Sequence, residues 1–233
     1  MARPAHHHGH ARSPCARLNS DMSTDLLATC ASARPHPYRL IHKALRGMLA
    51  HTLQQAGALD PSLPAERAIF TQALTQVLAL CEHHIAHEER CFHAPLQGAG
   101  LRALRPIAHD HEAQREAIQA MRLALLQMNE VAVSEAAEAE PPAALRARGQ
   151  ALYLSLSELV ADKLAHMVEE EHLLTRALWA QCDDDTLAGF VRTWHQTLPE
   201  DLRALQWHWL QRTAQPHELA SLPAPALPGT AQG

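Results

Sequence analysis

Residues 81–90 read CEHHIAHEER, three histidines and three acids in ten positions. The stretch lies in a segment that otherwise has the composition of a buried helix. An α-helix turns by about 100° per residue, so positions three, four and seven apart share a face. On that spacing Val77, Cys81, His84, Glu88, Cys91 and Pro95 form one stripe. A second stripe carries the same pair: Leu159, Asp162, His166, Glu170, Leu173 and Ala177. Two copies of His-x-x-x-Glu therefore fall midway along apolar faces, at HIAHE and HMVEE. Imidazoles and carboxylates are costly to bury without partners, so each of these groups needs one.

Working outward, breakers divide the chain. Pro64 suits the first turn of a helix, and Pro95 with GAG ends it. The expected helices are 37–56, 64–93, 106–129 and 143–181, then two short ones near 186–197 and 199–212. Between them Ala, Leu, Glu, Gln and Arg dominate, which is helix-forming composition, and no strand pattern appears. The expected fold is all-α: an up-down four-helix bundle with one or two short C-terminal helices. Residues 1–34 read as a disordered N-terminal tail, 35–212 as the bundle with its C-terminal helices, and 213–233 as a disordered C-terminal tail. The acidic SEAAEAEPP stretch reads as a linker.

The first and third helices each offer one inward histidine. IHKALR places His42 in line with Tyr38, Leu45 and Leu49, and DHEAQREAI places His111 in line with Leu104, Ile107 and Ile118. Residues four apart are separated by about 6 Å along the axis, so a histidine and its glutamate can serve neighbouring ions. Imidazole suits Fe, Zn, Cu or Ni, and carboxylates favour harder ions. Two glutamates facing each other repel unless a cation lies between them. Four histidines and two glutamates thus outline a dinuclear metal pocket, His42, His84, Glu88, His111, His166 and Glu170, with iron expected and zinc or another divalent ion as the alternative.

Composition narrows the remaining classes. The chain has 233 residues and a formal charge of −5, with scattered basic residues, so a nucleic-acid partner is not expected. No apolar run approaches the roughly 18 residues of a membrane span, and the N-terminal stretch has no apolar core of a secretory signal. Five cysteines without zinc-finger spacing suit a reducing, cytoplasmic compartment. The histidines at 6, 7, 8 and 10 form a tract defined by composition alone.

The order His, His-x-x-x-Glu, His, His-x-x-x-Glu resembles the hemerythrin-like, or HHE cation-binding, family. The resemblance runs over about residues 36–212, through IHKALR, HHIAHEERCFHAPL, DHEAQREAIQAM and HMVEEEHLL. It implies a non-haem di-iron centre that meets oxygen, nitric oxide or redox partners. His42, His84, His111 and His166 would be terminal ligands, and Glu88 and Glu170 would bridge the irons. The oxygen-carrying members have a second histidine four after the one on the third helix, where this chain has Arg115, and a later aspartate on the fourth helix in place of Glu170. The pattern is closer to members linked with sensing, iron handling or iron–sulfur repair. A sensor or iron-handling protein with a small gas ligand is the expected function. A di-iron oxidase or peroxidase-like enzyme and a metal-free interaction scaffold are the alternatives.

Six ligands are few for two irons, and His87 and His109 are the spare candidates. His83, His93, His172, His195, His208 and His217 are expected at solvent or helix junctions. Glu89, Glu169 and Glu171 read as solvated or as carboxylates orienting a metal-bound imidazole. Tyr38 is expected in the core, or else near the iron as a redox or hydrogen-bonding group, and Trp194, Trp207 and Trp209 at the end of the bundle, or else on a partner surface. Cys81 and Cys91 are either small buried hydrophobes or thiols that respond to oxidation.

Overall fold

The computed structural model describes residues 34–102, 104–133, 141–220 and 222. Among these the chain is helical, with no strand. Helix α1 is Arg39–Ala58. Helix α2, Pro64–His87, runs on through a π turn, Glu88–His93, into Ala94–Gly98. Helix α3 is Leu104–Val133. Helix α4, Pro142–Glu169, likewise passes through a π turn, Glu170–Leu174, and continues over Thr175–Gln181. Helices α5 (Asp184–Thr197), α6 (Glu200–Thr213) and α7 (Pro216–Ala220) follow. No described helix is long and apolar enough to cross a membrane.

Local chemistry sets these ends. Pro64 and Pro142 open α2 and α4, where a missing N–H costs nothing. The Asp183 side chain accepts the Thr186 N–H at 2.8 Å and caps α5, with Asp184 and Asp185 in its first turn complementing the helix dipole. At α1 the cap comes from His36, whose Nδ1 accepts the Arg39 N–H at 3.2 Å.

Each of the four long helices packs on two others: α1 on α2 and α4, and α3 on α2 and α4. Neighbours are antiparallel. His42 meets Glu171 while Gly57 lies against Tyr153, and Glu89 meets Arg115 while Glu82 meets Arg122. Leu45, Leu49, Leu74, Leu78, Ile118 and Leu156 fill the interior at 1% exposure or less. Each such side chain contributes about 1.5–3 kcal/mol by leaving water.

Three expectations about extent change. Arg34 already belongs to the packed chain, donating to Asp184 and to the carbonyls of Trp179 and Cys182. At the other end the ordered chain does not stop at 212: α6 reaches Thr213, and α7 buries Glu218, which accepts two hydrogen bonds from Lys43. The short C-terminal helices do not sit at an end of the long ones either. Helix α6 lies along α1, and Trp194 of α5 is buried against His84 and His87 at 5.9 and 5.1 Å. The tail before residue 34, with its histidine tract, and the linker at 134–140 lie outside the described residues.

The π turns also revise the two stripes. A π turn bonds i to i+5 and takes in an extra residue, which resets the inward phase of everything after it. Beyond Glu170 the inward residues are Leu174, Thr175 and Leu178, not Leu173, which is 51% exposed. Beyond Glu88 they are Cys91, as the stripe has it, with Phe92, His93 and Leu96, while Pro95 is only partly buried. Asp162 lies to the side of the α4 stripe, in solvent, and Lys163 takes the inward place.

Candidate metal centre

All six expected site residues meet in the interior. His42, Glu88, His111 and Glu170 have no exposed surface, and His84 and His166 have 1% and 3%. They form two groups able to hold a metal ion. One is His42, His84, Glu88 and Glu170; the other is His111, His166, Glu88 and Glu170. Within each group the ligand atoms lie within 4.8 Å of one another. Both glutamates belong to both groups, so each carboxylate stands between two histidine pairs.

The contacts inside the centre do not make a finished hydrogen-bond network. His42 Nε2 faces His84 Nε2 at 3.2 Å. His84 Nε2 lies 3.1 Å from Glu88 Oε1, and His166 Nε2 lies 3.3 Å from Glu170 Oε1. His111 Nε2 is 3.5 Å from Glu88 and 3.6 Å from Glu170. Close as they are, Glu88 Oε2, both oxygens of Glu170, and Nε2 of His111 and His166 have no aligned hydrogen-bond partner. Buried polar atoms are rarely left in that condition, and a convergent set of lone pairs on imidazole and carboxylate is the donor chemistry of a divalent cation. The residues present therefore fit a metal pair.

Protons and metal compete for these atoms. Burial and the neighbouring Glu170 push the Glu88 carboxyl up, but His84, His111 and His42 together outweigh them and hold it below the usual range. Glu170 is likewise held low, against its burial, by His111 and His166. Burial lowers His42 and His111, yet their carboxylate partners raise both overall, and His166 reaches about 9 through Asp110 and Glu170. His42, His111 and His166 therefore favour holding protons, whereas burial drives His84 well below the usual imidazole range despite Glu88 beside it.

The outer nitrogens of three histidines are held by carboxylates. His42 Nδ1 meets Glu171 at 2.8 Å, His111 Nδ1 meets Glu89 at 3.2 Å, and His166 Nδ1 meets Asp110 at 3.4 Å. Arg46 donates to Glu171 and Arg115 to Glu89. These contacts turn each Nε2 toward the centre and make it a better ligand. Of the two readings given for Glu89 and Glu171, solvated or in contact with an imidazole, both carboxylates reach an imidazole. Glu169 is exposed.

A regularity emerges that the stripes did not reveal. The pattern His…Arg four residues on, then His-x-x-x-Glu-Glu, occurs twice: His42, Arg46, His84, Glu88, Glu89, and His111, Arg115, His166, Glu170, Glu171. The second glutamate of each hairpin orients the first histidine of the other. The halves differ around the shared set. Tyr38 corresponds to Ile107, Leu45 to Gln114, Cys81 to Lys163, and His93 to Thr175.

His93 was expected at a junction but is 2% exposed, because the π turn rotates it inward. Its ring stacks on His111 at 5.2 Å and its Nε2 is 3.9 Å from Glu170. Helical spacing from His84 and Glu88 does not find it; the fifth position after Glu88 does, once a π turn is allowed. Of the spare candidates, His109 is 82% exposed and lies away from the centre. His87 is buried but turned toward Cys91, 3.7 Å away, and Trp194. Tyr38 is fully buried against His42 and Phe92, as expected of a core residue. Cys81 has no exposed surface and burial raises its thiol, which suits the small-hydrophobe reading rather than a reactive thiolate. No family model, curated protein or solved structure matches this chain.

Proposed function

We propose that this chain is a hemerythrin-like di-iron protein: an up-down four-helix bundle, α1 to α4, that senses or responds to oxygen, nitric oxide or redox state, or handles iron. The observation that carries the reading is the sharing of Glu88 and Glu170 between two histidine pairs, with buried lone pairs left without partners. His42 and His84 would hold one iron and His111 and His166 the other, with both carboxylates common to the two. His93 is a candidate seventh ligand on the second side.

When bound, such a pair supplies one-electron chemistry and open coordination positions for a small molecule. The chain's own residues do the rest. Glu171, Glu89 and Asp110 orient imidazoles, and Tyr38, Phe92 and Trp194 keep the surroundings dry. The free thiols of Cys81, Cys91 and Cys182 suit a reducing, cytoplasmic setting.

The test is metal content of protein purified under nitrogen after growth with iron, followed by its spectrum on admitting oxygen. About two irons per chain, lost in His84→Ala and Glu170→Ala, support the reading. Failure to load iron, or loading indifferent to both substitutions, would leave the metal-free scaffold as the function.

A further inference from the structure

Three residues from each inward histidine, toward the same end of the antiparallel helices, lie Leu45, Cys81, Gln114 and Lys163. The offset is about 4.5 Å along the axis, so the four make the layer adjoining the ligands. All are buried, at 1%, 0%, 4% and 1% exposure. Hydrocarbon is what such a layer normally holds. Here Lys163 Nζ and Gln114 Oε1 are buried without a hydrogen-bond partner. Burial raises the Cys81 thiol and lowers His84, and Lys163 lowers both.

A buried ammonium with nothing to bond is costly, and an apolar side chain of the same length would be the more stable choice. The ligand set does not require it. In the other hairpin the counterparts of Lys163 and Gln114 are Cys81 and Leu45, and that hairpin presents the same histidines and glutamates. The two polar residues therefore serve something other than the ligands. A primary ammonium offers three donors and no acceptor, and an amide offers a donor or an acceptor by flipping. Together they match a small anion.

We propose that Lys163, with Gln114 in the same layer, forms an anion-holding wall of the centre, so that besides a neutral gas the centre takes a monovalent anion of two or three atoms held beside the ammonium. This rests on the di-iron reading.

The test titrates azide into iron-loaded wild type, Lys163→Met and Gln114→Leu, read by absorption, with nitric oxide binding to the ferrous forms as the neutral control. Lys163→Met should still hold two irons, bind azide at least about tenfold more weakly, and bind nitric oxide as wild type does. Gln114→Leu should show a smaller loss of the same kind. Metal-free Lys163→Met should melt at or above the wild-type temperature, since an apolar side chain replaces an unpartnered charge. If Lys163→Met holds two irons and binds azide within twofold of wild type, the inference is overturned and the di-iron reading stands. Equal weakening of azide and nitric oxide also overturns it, because the effect then lies in the irons. If wild type takes up no iron, the two fall together.

Discussion

Glu171 Oε1 lies 2.8 Å from His42 Nδ1, on the side of the ring away from the nitrogen that faces Glu88 and Glu170. Arg46 donates to the same oxygen at 2.6 Å, so the carboxylate is fixed from both directions. Replacing it with an amide keeps the shape but removes the charge that strengthens His42 as a ligand. Glu171→Gln should weaken metal binding by about 10- to 100-fold with the helical signal unchanged. Glu169→Gln, two residues away and exposed, should leave it as in wild type. Equal affinities for wild type and Glu171→Gln in a competition titration against a chelator would remove the orienting role.

Metal should stabilise the fold as well as occupy it. A ligand that binds only the folded state adds about 4 kcal/mol at a thousand times its dissociation constant. Iron loading should therefore raise the melting temperature by many degrees, and a chelator should reverse the rise. The rise should fail in His84→Ala, which removes one ligand from the first group. Because histidines must shed protons to bind, the rise should also shrink as pH falls.

Gly149 sits inside α4, where alanine would normally be favoured by about 1 kcal/mol. A Cβ there would stand 2.7 Å from Pro61 Cγ, and the ring sits in the tight turn before α2. Overpacking of that kind costs about 1–3 kcal/mol, so it outweighs propensity. Gly149→Ala should lower stability by about 1 kcal/mol in urea melts of the metal-free protein. A gain would mean that the turn shifts freely.

His36 gives the fold an acid-sensitive cap. Burial, the largest influence, lowers its pKa to about 4, and its Nδ1 accepts the Arg39 N–H only when unprotonated. The folded value lies below the unfolded one of about 6.5, so the unfolded chain binds more protons between them. The contribution is complete above pH 6.5 and declines as pH falls toward 4, with an upper bound of about 3 kcal/mol. His36→Asn keeps an acceptor that does not titrate. In metal-free protein the stability of His36→Asn should fall less steeply over that range, and parallel curves would dismiss the cap.

Helical periodicity alone was enough to bring the six site residues together, because three- and four-residue spacing is a rigid property of the backbone. The same rule failed one turn later in both helices. A π turn is not written in the residue types of EERCFH or EEHLL, so helical spacing places Leu173 and Pro95 inward and His93 at solvent or a helix junction. Lys163 is not legible as an inward residue for a different reason. A lysine on a helix is normally a solvated residue, and only its neighbours in space show it to be enclosed. The wrapping of α6 along α1 was also hidden, since the partner of a short amphipathic helix is a matter of tertiary packing.

The two hairpins present the same histidines, arginines and glutamates in the same order, yet set them among different neighbours. The molecule thus contains its own reference experiment. Substituting His42 or His111, Arg46 or Arg115, Glu89 or Glu171 changes the same part in two settings. Any disparity between the members of a pair then measures what Tyr38, His93, Gln114 and Lys163 add on one side alone.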